Sequence, residues 1–365
     1  MDWMKTLNIT AIGIVAWLLV VEWNQFQDRS AAQQSTPRAE VYIPDMAELP
    51  AAQTNEISEL PAVIDAPAPA IIEQIADTRL VTVTTDVFEV VIDTLGGDIV
   101  QVNLLKHLDK MREDDGQPFS LLTRSKENEY IAQSGLIGRN GTDKREGRAL
   151  YSVSSSSFSL NPGDQTLAVD LRLEQDHASL IKRFSFSAGS YVIGVDYDIN
   201  NTGSEPWEAT FYGQIKRDSH EPLVTSSGGI QPYLGAAIRE KEKNFAKHSF
   251  SDIEDEAIKE EIQGGWVAMV QHYFISAWIP PADQQNSFSL RKLTGQDVYL
   301  LGFTGEKMVV PAASSGRYSA QFYVGPKNQQ KLEALAPYLD LTVDYGFLWM
   351  LAKPIFAAMK FIHGV

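Results

Sequence analysis

The feature that most constrains the fold is an alternation of apolar and polar residues at a period of two, which recurs from residue 80 onward. The alternating runs are rich in β-branched residues and lie at 80–84, 87–92, 99–102, 167–173, 181–186 and 191–197. Such runs are typical of strands with one buried face. Turn-forming residues separate them at 96–98, 161–164, 187–190 and 200–203. We therefore expect a mainly β domain over residues 77–338, built as a sandwich and β-rich to about residue 325.

Two short helices are expected within this domain. The charged stretch at residues 252–261 is the best internal candidate, and residues 328–338 form the second one, which closes the domain. Gly135, Gly138 and Gly141 are spaced three apart in a polar stretch. We interpret that stretch as a mobile loop rather than a phosphate-binding site.

The N-terminal segment is predicted to be a membrane anchor over residues 1–23. Residues 7–21 are almost wholly apolar, and the residues that follow make a poor signal-peptide cleavage site. A signal peptide and a buried core helix are the alternatives. Lys5 is the single basic residue before the run, which favours a cytoplasmic N-terminus and an exported remainder. Residues 24–76 are rich in Pro, Ala and acidic residues, so we expect a flexible linker there.

The sequence predicts no catalytic, cofactor or metal site. A formal charge of -16 argues against nucleic acid as a partner, because phosphate binding depends on clustered Lys and Arg. Cysteine is absent, and the six histidines show no metal-ligand spacing. Asp218, Ser219 and His220 are consecutive, so they cannot converge as a catalytic relay. A carboxylate pair in a cleft, as in glycosidases, stays open.

The C-terminal segment, residues 339–365, is predicted to form an amphipathic helix that lies in the membrane interface. Its two lysines fall on one stripe at 100° per residue, and bulky apolar side chains occupy the rest. We place Phe347, Trp349 and Phe356 at the acyl boundary and Lys353 and Lys360 at the headgroups. A soluble helix packed on the β domain is the alternative.

Several short stretches carry a family resemblance. They are 85–87, 96–98, 133–136, 264–269 with 277–280, and 339–346 with Trp349 and Pro354. Together they resemble the YidC membrane protein insertases of Gram-negative bacteria along the whole chain. The resemblance implies one transmembrane helix, then a periplasmic β-supersandwich with short helices similar to galactose mutarotases, then an amphipathic interfacial helix. It also implies a five-helix insertase core after residue 365.

The resemblance further implies a function without enzymatic chemistry. Family members sit in the bacterial inner membrane and help nascent integral membrane proteins to insert and fold, alone or with the Sec translocon and its accessory subunits. The lipid bilayer is the other expected partner. The competing hypothesis is a membrane-tethered carbohydrate-binding module or mutarotase-like enzyme, and a shared fold alone cannot decide for it.

Overall fold

The computed structural model describes residues 79–110, 115–125, 128–144, 147–220 and 233–343. All of them belong to one compact unit, Ser58–Val365. The predicted anchor at 1–23, the predicted linker at 24–76 and most of the predicted interfacial helix lie outside the described residues. Among the residues described, no helix is both long enough and apolar enough to cross a membrane.

Twenty strands and two α-helices build the described part of the chain. The first ten strands are β1 (Leu80–Thr84), β2 (Phe88–Asp93), β3 (Asp98–Leu108), β4 (Pro118–Arg124), β5 (Glu129–Ile137), β6 (Asp143–Lys144), β7 (Gly147–Arg148), β8 (Ser157–Ser159), β9 (Thr166–Gln175) and β10 (Ala178–Ser187). The others are β11 (Val192–Asn201), β12 (Trp207–Arg217), β13 (Gly235–Ile238), β14 (Ala246–His248), β15 (Ile258–Gln263), β16 (Val267–Val270), β17 (Phe274–Ile279), β18 (Gln285–Lys292), β19 (Tyr299–Val310) and β20 (Ser314–Pro326). The helices are α1 (Phe250–Asp255) and α2 (Gln329–Leu335), and a 3-10 helix follows at Leu339–Thr342.

Two large sheets carry most of these strands. The ten-stranded sheet has the order β15-β18-β19-β12-β5-β4-β3-β2-β1-β8, and the eight-stranded sheet has the order β14-β13-β16-β17-β20-β11-β10-β9. Neighbouring strands are antiparallel, with β1 and β8 as a parallel pair. In the eight-stranded sheet β20 lies between β11 and β17, so Tyr323 pairs with Val192 on one side and with Ala277 on the other.

The core lies between the two sheets. Strand β10 shows why the sequence folds this way: its side chains alternate strictly between buried and half-buried positions, which is the parity of a strand with one covered face. Across the interface, Phe211 of β12 stacks on Tyr318 of β20 with ring centroids 4.4 Å apart. Truncating one such buried aromatic ring typically destabilises a domain by about 3–5 kcal/mol. The mainly β sandwich with short helices confirms the predicted fold class.

The outer face of the eight-stranded sheet is a ladder of ion pairs. Arg183 bridges Asp170 at 2.6 Å and Asp198 at 3.7 Å, and Arg317 pairs with Asp198 as well. The side-chain hydrogen bond to Asp170 raises the pKa of Arg183 above its ordinary value. Exposed pairs of this kind contribute little to stability. They keep this broad face polar.

The predicted helix at 252–261 is partly wrong. A capping box between Ser249 and Asp252 begins α1 at Phe250, and the helix ends at Asp255. Residues from Ile258 onward form β15 instead, at the edge of the ten-stranded sheet. Ile258 and Ile262 point inward from β15. The charged residues between them hide this alternation in the sequence. The second predicted helix is confirmed as α2, capped by the side chain of Asn328, although it ends at Leu335.

Candidate functional site

The residues predicted to contact the membrane all lie at 344–365, outside the described residues. They are Phe347, Trp349, Lys353, Phe356 and Lys360. Their placement stays a prediction.

The described histidines lie on five different strands or turns. They are His107, His177, His220, His248 and His272. His248 pairs with Glu240 at 2.9 Å, and both belong to the hairpin formed by β13 and β14. A mutarotase-like enzyme would need a histidine and a carboxylate on opposite walls of a cleft, whereas His248 and Glu240 lie on the same hairpin. In the part of the chain described, no group of three or more His, Cys, Asp or Glu side chains could hold a metal ion.

The consecutive Asp218, Ser219 and His220 are used for local hydrogen bonding. The Asp218 carboxylate accepts bonds from the backbone N–H groups of Glu129 and His220. The Ser219 hydroxyl donates to Asp297 over 2.7 Å. The Asp218 and Ser219 side chains thus bond different partners, and His220 takes part through its backbone, so these bonds hold the chain after β12 and do not form a relay.

A cluster of charged side chains lies largely buried between the two sheets, and we call Asp98, Asp143, Arg148 and Lys182 the polar core cluster. Arg148 pairs with Asp98, and its Nε donates to Asp143 at 3.1 Å. Burial opposes the charge on Arg148, but the Asp98 carboxylate raises the pKa of the guanidinium well above its ordinary value. Separating such a pair would leave an uncompensated buried charge, so the pair holds together the elements that carry it.

Lys182 is the member of this cluster that connects the two sheets. It lies on β10, and its Nζ donates to the carbonyl oxygens of Gly96 at 2.9 Å, Gly97 at 2.8 Å and Ser134 at 2.9 Å. Those carbonyls belong to β5 and to the turn before β3 in the other sheet. Burial lowers the pKa of Lys182 to about 7. Lys182 was not predicted as a buried residue from the sequence. It lies two residues before the buried Phe184, and this spacing places both side chains on the same face of β10.

The three regularly spaced glycines lie beside this region, and their interpretation as a loop was wrong for Gly135, whereas Gly138 and Gly141 lie in the connection between β5 and β6. Gly135 lies within β5, and a Cβ there would meet the Asp143 carboxylate at 1.9 Å and the Tyr212 ring at 2.8 Å. A Cβ at Gly141 would meet the Leu136 carbonyl oxygen at 2.4 Å, and Gly138 has a φ of 109°. The Tyr212 hydroxyl donates to Asp143. Gly135 therefore makes room for the polar core cluster, whereas the neighbours of Gly138 and Gly141 are backbone atoms outside it.

The chain leaves the described domain through a packed corner after α2. The indole Nε1 of the buried Trp266 donates to the carbonyl of Pro337 at 3.0 Å. Tyr338 then adopts a left-handed backbone with a φ of 65°, which is uncommon for a residue other than glycine. Leu339 beyond it is fully buried. These contacts fix the last described residues against the eight-stranded sheet.

Comparison with solved structures finds sandwiches of low sequence identity. A galactose mutarotase-like protein from Lactobacillus casei is 10% identical, with a TM-score of 0.45, over 67% of this chain and 99% of that one. A galactose mutarotase related enzyme from Lactobacillus acidophilus is 11% identical, with a TM-score of 0.41, over 67% and 97%.

Comparison with curated proteins and with protein families gives a consistent result. The model of the YidC periplasmic domain matches residues 80–358. The membrane protein insertase YidC of Cellvibrio japonicus is 47% identical over 100% of this chain and 65% of its own length. That of Saccharophagus degradans is 46% identical over 100% and 66%. The resemblance noted in the sequence is confirmed: the chain belongs to the YidC family of membrane protein insertases.

Proposed function

We propose that the protein assists the insertion, folding and assembly of integral membrane proteins in a bacterial inner membrane. The observation that carries this proposal is the 46–47% identity, along the whole chain, to relatives named membrane protein insertase. The chain spans 65–66% of the length of those relatives. Nascent membrane proteins are therefore its proposed substrates, and the Sec translocon with its accessory subunits is a proposed partner. The proposed role is not enzymatic.

Within that function, the described domain is a rigid periplasmic spacer between two membrane contacts. In this proposal residues 1–23 anchor the chain with the N-terminus in the cytoplasm, and residues 24–76 act as a tether. The predicted interfacial helix at 339–365 is wrong at its start, because Leu339–Thr342 forms a 3-10 helix whose Leu339 is buried in the folded domain. We therefore place only the residues after Val343 in the periplasmic interface of the inner membrane. The packed corner at Trp266 and Pro337 supports the proposal, because it holds the chain firmly just before the interfacial segment.

The test of the function is depletion of the full-length protein followed by an insertion assay. We expect small single-span membrane proteins to stay accessible to protease on the wrong side of the membrane after depletion. Expression of the full-length wild type should restore insertion. Unchanged insertion during depletion would contradict the proposal, and restoration by an unrelated periplasmic protein would show that the assay lacks specificity.

The interfacial segment is tested separately. We propose that Lys353 and Lys360 hold it at anionic headgroups, where each is worth about 1 kcal/mol. Changing both to Glu should move a fluorophore at an Ala358→Cys position out of the acyl boundary, seen as a red-shifted emission in vesicles. The matched control changes the exposed Lys144 and Lys259 to Glu. Unchanged emission after reversal of the segment's own lysines would refute this placement.

A further inference from the structure

An exposed surface surrounds the corner through which the chain leaves the domain. We call it the exit surface, and it consists of Arg239, Lys241, Lys243, Tyr338 and Leu341. Tyr338 and Leu341 are large apolar side chains that remain 41% and 45% exposed. Lys241 and Lys243 are exposed on the loop between β13 and β14. Aromatic and aliphatic side chains beside lysines are the composition found at a membrane–water interface.

The two parts of the exit surface are held together as one body. The Arg239 guanidinium lies 5.8 Å from the centre of the Tyr338 ring, and the backbone N–H of Arg239 donates to the carbonyl of Trp266. Trp266 also bonds Pro337, and its ring lies 6.2 Å from that of Phe245 on the hairpin. The hairpin loop and the corner after α2 therefore share one buried support and present their exposed side chains together.

The charge of this surface differs from that of the chain around it. The hairpin contributes four basic residues, Arg239, Lys241, Lys243 and Lys247, and the acidic residues beside them are Glu240, Glu242 and Asp340. Glu240 is engaged with His248. The chain as a whole carries a charge of -16. Four basic against three acidic side chains give a net charge of +1 here, opposite in sign to that of the whole chain, which favours an anionic partner.

The length of the chain places this surface near a membrane. Val343 is the last described residue, and the apolar run of the predicted interfacial segment begins at Phe347. Four residues span at most about 14 Å even when fully extended. If the segment after residue 347 lies among headgroups, the exit surface lies within reach of them.

We infer that the exit surface rests on the headgroups of an anionic bilayer, with Tyr338 and Leu341 at the interface and the hairpin lysines against phosphate groups. The inference rests on the interfacial placement in the proposed function. It adds a third membrane contact, made by the folded domain itself. Together with the interfacial segment it would orient the sandwich on the membrane.

The absence of cysteine from the chain allows the inference to be tested with single labels. The full chain is reconstituted into vesicles of phosphatidylglycerol and phosphatidylethanolamine that contain a lipid spin-labelled at its headgroup. A fluorophore is attached at Leu341→Cys or at Asn244→Cys on the hairpin loop. The control is Val309→Cys, which is 50% exposed and lies at the end of β19 in the ten-stranded sheet.

We expect quenching at positions 244 and 341 to be at least threefold stronger than at position 309. Charge reversal by Lys241→Glu with Lys243→Glu should reduce quenching at 244 to the control value, whereas Lys144→Glu with Lys259→Glu should not. Vesicles of phosphatidylcholine should give the control value as well. Two label positions are used because one variant could fold poorly, which its melting temperature would reveal. The other position then decides the outcome.

Equal quenching at 244, 341 and 309 would overturn the inference, and so would quenching that ignores charge reversal. A protein partner for this surface would give the first of these results, because the vesicles contain lipid alone. The label at Ala358→Cys reports the interfacial segment independently. Quenching at 358 without quenching at 244 and 341 would support the interfacial placement of the segment and contradict membrane contact by the exit surface.

Discussion

Replacing Lys182 by Met should abolish a rise in stability that the parent chain shows between pH 7 and pH 9. The unfolded chain holds this lysine at its ordinary pKa of 10.5, whereas burial lowers the pKa of Lys182 in the folded chain to about 7. Between these values the unfolded state binds more protons than the folded state. Stability therefore increases as the pH rises through this window and falls as the pH is lowered.

The magnitude follows from the two pKa values. Proton linkage for a single group with these values gives a gain of about 2 kcal/mol in the free energy of unfolding between pH 7 and pH 9. Methionine is an unbranched side chain that fits the same space without the charge. It also removes the lysine donor from three carbonyls, of which Gly96 and Ser134 keep a hydrogen bond from Arg148. The Gly97 carbonyl loses its side-chain donor, which destabilises the variant at every pH by roughly 1–3 kcal/mol.

The assay is urea unfolding of the full chain in detergent micelles at pH 7, 8 and 9. Emission from the buried Trp207, Trp266 and Trp278 reports the transition. The quantity of interest is the difference between the free energies of unfolding of parent and variant. Other titrating groups act on both chains alike, so they cancel in this difference. Measurements stop at pH 9 because burial raises the pKa of Tyr151 to about 12, which lowers stability at higher pH.

We expect the difference to grow by about 2 kcal/mol across this range. The exposed Lys259→Met variant should show a constant difference from the parent. A difference for Lys182→Met that stays constant within about 0.5 kcal/mol would refute the reasoning, because it would mean that the lysine keeps the same protonation in both states.

Two further predictions concern the polar core cluster and the packed corner after α2. Arg148→Met leaves the Asp98 and Asp143 carboxylates buried without their cation, so the variant should lose about 3–5 kcal/mol of stability, measured by urea unfolding at pH 7. A loss below about 1 kcal/mol would show that water replaces the guanidinium. Trp266→Phe removes the hydrogen bond to Pro337 and should lose about 1 kcal/mol, with faster proteolysis at the corner. Unchanged proteolysis at the corner would mean that packing, and not the hydrogen bond from Trp266 to Pro337, holds the corner.

The strand pattern was predictable because it depends on neighbours in sequence. Side chains two residues apart share a face, so alternation located β1 at its observed bounds and the cores of β2, β9, β10 and β11 within a few residues. The error at β15 has the same origin. Lys259 and Glu261 point to solvent from an edge strand, and a charged run of that kind is equally compatible with an exposed helix.

The polar core cluster could not be predicted in the same way, because its members meet only in the folded chain. Lys182 lies 86 residues from Gly96, and Arg148 lies 50 residues from Asp98. No local pattern connects such positions. The exit surface likewise depends on Arg239 reaching Tyr338, which the sequence separates widely. The alternation indicated that Lys182 faces inward, but only the structure identifies its partners.

The position of β20 determines when this domain can finish folding. Strand β11 is complete at Asn201, yet the neighbour that fills its free side begins at Ser314, more than a hundred residues later in synthesis. Until that segment arrives, β11 and β17 each expose an unpaired edge, and such edges promote aggregation. Pairing over so long a separation is also slow. The eight-stranded sheet therefore cannot be complete until residue 326 has been made.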